Sequence, residues 1–430
     1  MNTLLWIRPS DMRVDDHPAL NWLASQRGTV TGLFVLPSDW TRQVAPGFAR
    51  VSGLRQRWLL ESLIELQQRW AERGGTLIVT TGDETEVVPR VAQQLDVQWV
   101  ATAPLPATEE LATTSTVFER LQAVGISLRV FRCSTLLDLD DLPFTVDRLP
   151  QIFTQFRKAV EQRWRIRPPV PAPAHLPPAP AAADVPTLDA TQLRELANAL
   201  PTPDPRSLVP WNPGEAGAHA RLHRYFWQTN AVRDYKETRN GLTDMDDATR
   251  FSPWLAHGSI SARTVQHQLQ RYEAERGANE STYWVTFELL WRDYFHFWSM
   301  KHGARLFQLH GVRGQVLTWH QHERSFRQWT EGHTGRAFVD AAMVELRSTG
   351  YTSNRMRQVV ASHFAKGQHL DWRWGARWFE SQLIDYDPCS NWGNWQYVSG
   401  VGNDPRDRTF NVDLQAQRYD PDGAFVRRWS

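Results

Sequence analysis

Short apolar runs at Thr3–Ile7, Val30–Leu36, Thr76–Thr80, Val97–Ala101 and Leu128–Phe131 mark the first third of the chain. Amphipathic stretches such as Leu54–Arg73 and Glu109–Val124 lie between several of them. Strand-length runs alternating with helix-length segments predict a doubly wound parallel α/β domain over residues 1–131. Such sheets place ligands beyond the carboxyl ends of their strands, the side on which the loop Arg8–Pro18 (RPSDMRVDDHP) leaves the first run. No GxGxxG follows that run, which argues against a Rossmann dinucleotide site there.

Over residues 132–206 the pattern dissolves into a connector. One helix is predicted at Pro150–Ile166, and the proline and alanine run Pro168–Pro186 reads as extended chain with little capacity to pack. From 207 to 430 the pattern is helical. Apolar residues recur at helical spacing in Ala216–Gln228, Ala262–Glu275, Thr282–Met300, Ala337–Ser348, Arg355–Ala365 and Trp372–Tyr386. The stretch Asp371–Pro405 concentrates Trp372, Trp374, Trp378, Trp392 and Trp395 in one helix and the polar turn expected after it. Indole is bulky and its N–H needs a partner when buried, so ordinary cores favour aliphatic residues. Such density beside Asp385-x-Asp387 suggests a site for an aromatic ligand or for electrons; for any one tryptophan, core packing is the duller alternative.

The formal charge of +1 means that any nucleic-acid contact must come from a local basic patch. Cys133 and Cys389 imply no disulfide framework and fit a reducing compartment. The N-terminus lacks a signal pattern and no 18-residue apolar run occurs, so a cytoplasmic protein with no membrane partner is expected. No cysteine cluster, HExxH or P-loop is present, and no metal site is expected.

Three further blocks carry chemistry. In Asp234–Pro253, the hydroxyls of Thr249 and Ser252 with Arg250 sit at an expected helix N-cap, which serves either as an ordinary cap or as a phosphate cradle. In Phe287–Phe297, Glu288 and Arg292 form either an i,i+4 pair or a carboxylate and guanidinium aimed into a pocket beside Trp291. In Gly350–Ala361, Asn354, Arg355, Arg357 and Gln358 cover one helical turn, as a solvated face or an anion dock.

The blocks YKETRN, FSPWLA, FELLWRDYF, SNRMRQ, DWRWGARWFE and IDYDPCSNWGNWQYVSGVGNDPR resemble those of the photolyase/cryptochrome family, most closely its DASH-type branch. LPQIFTQFRKAVE and WIRPSDMRVDDHPAL extend the resemblance over essentially the whole chain. It implies an antenna domain followed by a helical domain that binds FAD. Tyr235 and the loop of Ala248, Thr249, Arg250, Phe251 and Ser252 would serve the ribose and phosphates, with Arg250 in place of a common lysine and Ala248 in place of a hydroxyl residue. Arg292, Asn354 and Arg357 would line the flavin, Arg357 would pair with Asp385, and Asp385 and Asp387 would meet the isoalloxazine and ribose. Asn391 would face flavin N5, where a neutral amide suits a repair-competent flavin.

The same resemblance implies an electron chain of Trp395, Trp372 and Trp319, with Trp329 a second aromatic in that region. It implies a pocket for a pyrimidine dimer built from Glu288, Trp291, Asn354, Arg355, Gln358 and Tyr397, with Arg239 on the DNA backbone. Tyr397 and Gln358, in place of tryptophan and methionine, point to lesions in single-stranded or loosened DNA, acted on by a monomer. The rival function is blue-light signalling without significant repair. Methenyltetrahydrofolate is the implied antenna, with Glu109 or Glu110 against its pterin, and Phe364–His369 departs from the family pattern.

Overall fold

A computed structural model describes the chain apart from residues 27, 178, 180–184, 405 and 407. All five apolar runs form strands: β1 (Asn2–Ile7), β2 (Thr29–Pro37), β3 (Thr76–Gly82), β4 (Val97–Thr102) and β5 (Ser127–Val130). They pair in parallel in the order β3-β2-β1-β4-β5, with Thr3 between Val30 and Trp99. Both faces are covered, which is why the central strands read as continuous apolar runs. The Gly53–Ala71 helix packs Leu59, Leu63 and Leu66 on one face. The helices Glu84–Gln94 and Thr108–Ala123 pack Val88, Val91, Val117 and Leu121 on the other. A hairpin of Gln43–Val44 with Phe48–Ala49 was not visible in the apolar pattern, its strands being too short to show a period.

The connector carries the helix Phe153–Glu161, shorter than Pro150–Ile166 because its buried face is only Phe153, Phe156 and Val160. A second helix, Ala190–Asn198, opens with a capping box between Asp189 and Gln192 and packs Leu193 and Ala197 beside the Gly53–Ala71 helix. Residues 178 and 180–184 of the proline and alanine run lie outside the described residues. The described remainder is irregular and tied to the α/β domain by Val170 N–H to Asp16 (2.9 Å) and Leu176 N–H to Arg73 O (2.8 Å).

The helical domain shares one continuous core. Ala262–Arg276, Glu280–His302 and Ala337–Thr349 lie close to their expected bounds. Glu215–His223 and Asn354–Ser362 each run on into a π-helical turn, Arg224–Gln228 and His363–Gly367. The helices Glu323–Glu331, Val412–Tyr419 and Ala424–Trp429 are short and were not recognised from their periodicity.

The tryptophan-rich stretch differs most from expectation. Its first helix stops at Gln382 instead of Tyr386, and the expected polar turn is a second helix, Pro388–Ser399. Asp387 starts it by accepting the Ser390 N–H (2.7 Å), and Pro388 fills the first helical position, where no N–H is needed. Glycines inside these helices permit close packing. A Cβ on Gly375 would lie 2.2 Å from the Trp395 ring, and one on Gly393 would lie 2.3 Å from Phe295.

The Arg8–Pro18 loop divides between two tasks. Arg8 to Ser10 line the space between the domains, while Met12 to Asp16 clasp the helical domain. Arg13 donates to the Gly258, Asp16 and Cys133 carbonyls, and Asp16 pairs with Arg263 at 2.8 Å, all buried.

Candidate functional site

Two cavities meet at Tyr386. One, about 700 Å³, opens between the domains at the carboxyl ends of the strands and is edged by Arg8, Ser38, Asp83 and Glu110. The other, about 90 Å³, lies within the helical domain and is lined by Asn354, Arg357, Asp385, Asp387, Asn391 and Trp395. The Tyr386 ring contributes to both walls, with the Arg55 guanidinium 4.5 Å from its centroid.

The break in the tryptophan-rich stretch builds the inner cavity, because it turns Asp385 and Asp387 inward at the head of a helix. Asp385 accepts from Arg357 at 2.8 Å through one oxygen, and its buried Oδ1 has no partner among the described residues. Asp387 accepts from His296 Nε2 at 2.8 Å and lies 3.6 Å from Arg292. Burial alone would raise its carboxyl, but His296 and Arg292 hold it far below the usual carboxylate range. One helical turn on, the Asn391 Nδ2 donates to the Ala376 carbonyl (3.0 Å), which leaves Oδ1 as the amide's open acceptor among the described residues. Arg292, expected against the flavin, donates to the Ser134 and Leu255 carbonyls and is not among the residues that line the inner cavity.

The loop before Ser252 does not cap its helix as expected. The N-cap position is Phe251, and no side chain bonds the first-turn N–H groups. The Thr249 and Ala248 carbonyls accept from Arg221. Arg250 takes a left-handed backbone (φ 55°), uncommon outside glycine and typical of functional sites. Its buried guanidinium donates to the Asp244 carbonyl (3.0 Å) while Nε has no partner among the described residues. Tyr235 is buried nearby, and burial pushes its phenol up.

On the Glu280–His302 and Pro388–Ser399 helices, Trp291 and Tyr397 stand nearly perpendicular, with centroids 6.0 Å apart. Glu288 pairs with Arg239, whose guanidinium lies 4.6 Å from the Trp284 ring centroid. Burial pushes the Glu288 carboxyl up against the pull of Arg239. Arg355 donates to Asn240 and Gln358 and lies 4.8 Å from the Tyr419 ring centroid. Phe153 was missed from the sequence: it stacks on Trp291 at 3.7 Å with rings 11° apart. The only available signal was the aromatic in LPQIFTQFRKAVE.

Trp395 edges the inner cavity, Trp372 is fully buried and Trp319 half-buried. The Trp395 ring packs on Phe379 (5.2 Å), Phe364 (6.0 Å) and Trp329 (6.1 Å). Phe364 belongs to the π-helical turn, so the departure at Phe364–His369 forms part of the wall behind Trp395. Trp372 meets Trp392 edge-on at 5.7 Å, while Trp374 packs on Phe326 and Trp378 on Phe48.

Two family models match: DNA photolyase over residues 3–177, and the FAD binding domain of DNA photolyase over 284–430. A Cryptochrome DASH of Gloeobacter violaceus is 43% identical over 429 residues, covering 99% of this chain and 85% of that protein. One of Danio rerio is 42% identical over 434 residues, covering 99% and 82%. The crystal structure of Synechocystis sp. PCC6803 cryptochrome superposes with a TM-score of 0.94 at 40% identity, over 100% of this chain and 88% of that one. A class III photolyase of Agrobacterium tumefaciens gives 0.84 at 27% identity, over 99% and 86%. The chain belongs to the DASH branch of the photolyase/cryptochrome family. Its fold is that of the family, a parallel α/β domain followed by a helical FAD-binding domain.

The inner site fits FAD on its own chemistry. Buried polar atoms normally have partners, and Asp385 Oδ1 and Arg250 Nε have none among the described residues. The first is an acceptor suited to a ring N–H. The second belongs to a buried cation with no carboxylate pairing among the described residues, suited to a phosphate. The two implied antenna acids separate: Glu109 is exposed and paired with Arg50, whereas burial pushes the Glu110 carboxyl to about 7. No helix among the described residues is long and apolar enough to cross a membrane.

Proposed function

We propose that this DASH-branch protein repairs cyclobutane pyrimidine dimers with blue light, and prefers them in single-stranded or loosened DNA. The arrangement of Trp291 and Tyr397 at 6.0 Å, on the helices that carry Glu288 and Asn391 and with Glu288 paired to Arg239, carries the reading. Bound, reduced FAD supplies light-driven one-electron chemistry, held by Asp385, Arg357, Arg250 and Asn391. Trp291 and Tyr397 form two walls for a flipped dimer, and Phe153 backs the first wall so that its ring is held in place. Glu288, its carboxyl raised by burial, serves as a hydrogen-bond partner for the dimer carbonyls. Arg355, which has only neutral partners among the described residues, and Arg239 serve the backbone.

The strand preference follows from stacking. Flipping costs a few kcal/mol in a duplex and least in single strands. Base–aromatic stacking contributes roughly 1–3 kcal/mol per base, and a phenol offers a smaller face than an indole. Tyr397 therefore leaves less binding energy to draw a dimer out of paired DNA.

Trp395, Trp372 and Trp319 serve in this reading to resupply electrons from the surface, and the interdomain cleft holds methenyltetrahydrofolate against Glu110. The protein acts as a cytoplasmic monomer, in three parts at residues 1–131, 132–206 and 207–430. The test is to illuminate the reduced protein with thymine-dimer oligonucleotides, single- and double-stranded, and to follow loss of the dimer. Faster loss from single strands is expected. No loss from either would overturn repair in favour of signalling, and equal loss would overturn the preference.

A further inference from the structure

One face of the Glu280–His302 helix is unusually polar for a buried surface. Arg292, Asp293, His296 and Ser299 all point to the junction between the inner site, the connector and the α/β domain. Asp293 accepts the Leu136 and Leu137 N–H groups (2.9 and 2.7 Å), and Ser299 donates to the Pro106 carbonyl. Between them the His296 ring, fully buried, bridges two segments. Its Nδ1 lies 3.3 Å from the Ser134 hydroxyl and its Nε2 lies 2.8 Å from Asp387 Oδ2. Burial disfavours the charged ring. A neutral imidazole satisfies both contacts if Nε2–H donates to Asp387 and Nδ1 accepts from Ser134.

We propose that His296 is a positioning residue for the flavin: through Asp387 it sets the orientation of the helix that carries Asn391, Trp395 and Tyr397. Asp387 has two anchors besides this ring, the Ser390 N–H at 2.7 Å and Arg292 at 3.6 Å. Without the imidazole donor, Oδ2 turns towards Arg292. Because Asp387 heads the Pro388–Ser399 helix, that turn is passed to the three site residues on it. Asp385, tied to Arg357, stays in place. The two acids would then no longer hold the geometry that the cofactor meets. Ser134 orders the chain one link further back, by selecting the tautomer and fixing the ring plane.

The inference rests on FAD binding alone, so it stands or falls independently of dimer repair. The experiment titrates FAD into apoprotein of the full chain and records the dissociation constant, the visible spectrum and the midpoint potential of the bound flavin. His296→Leu, similar in bulk but without a donor, should weaken binding roughly tenfold, the weight of one hydrogen bond to a charged group. It should also shift the flavin band and the potential. His296→Gln places an amide N–H near the Nε2 position and should restore all three readings. Ser134→Ala should move them in the same direction as leucine, but less. Parent-like constants and spectra in His296→Leu would overturn the proposal. So would equal losses in the leucine and glutamine variants, which would mean that the ring only fills space. Should the leucine variant fail to fold, His296→Asn, polar but too short to reach Asp387, takes its place with the same two readings.

Discussion

The two cavities that share Tyr386 differ in the depth at which their charges are held. Around the interdomain cleft, charges pair with one another: Arg50 with Asp39 and Glu109, Arg42 with Asp39, and Arg8 with Glu84. In the inner site, the carboxylates of Asp385 and Asp387 are buried and paired with Arg357, His296 and Arg292, and Asp385 Oδ1 has no partner among the described residues. Ion pairs near the surface contribute little and tolerate substitution. A buried site with open valences is matched to one group and is costly to disturb. The inner site is therefore the more costly of the two to disturb, and the cleft the more tolerant.

That contrast breaks first at Arg357. Arg357→Ala leaves a buried carboxylate unpaired, and a loss of about 3–5 kcal/mol is expected. Thermal unfolding and the flavin-to-protein ratio after purification check it; full flavin content with unchanged stability would remove the contrast. Next comes Trp395→Phe. Photoreduction of oxidised flavin should slow strongly in a flash experiment, while repair by chemically reduced protein stays near normal. Fast photoreduction would show that another aromatic contact of the cavity carries the electrons.

Tyr397→Trp should strengthen binding of dimer in duplex DNA by roughly 1 kcal/mol, about fivefold, with a smaller change for single strands. Equal gains on both would mean that stacking does not set the strand preference. On the cleft side, Glu110→Gln probes a carboxyl that burial raises to about 7. The folded chain holds this proton more tightly than the unfolded one. The group's contribution to stability is thus full below the ordinary carboxylate range and is lost as pH rises through about 7. The variant should lose less stability than the parent between pH 5 and pH 8; parallel melting curves would contradict this. The smallest effect belongs to Arg50→Ala, where an exposed pair contributes about 0–1 kcal/mol.

The fold was legible wherever a local period survived. β1 to β5 and the long helices needed only apolar spacing, because each buries a continuous face. The legibility failed at Asp385–Pro388, where periodicity predicted continued helix and then a turn. A cap and a proline redirected the chain there, and Gly393 and Asn394 concealed a helix held by packing. Asp385, Arg357, Asn391 and Trp395, which the resemblance assigned to the flavin and its electron chain, line one cavity. The resemblance gave no hint of Phe153 on Trp291 or His296 on Asp387, because neither contact leaves a signal in the spacing of residues.

By itself the sequence determined the alternation of strands and helices, the helical second half and the chemical inventory of the site. These follow from side-chain period and residue type, which act over a few positions. Tertiary structure alone decided that Tyr386 parts two cavities, that the Arg8–Pro18 loop serves as a clasp, and that Asp385 and Arg250 are left with open valences. Each of these joins segments far apart in the chain, and only the packed core brings them within hydrogen-bonding reach.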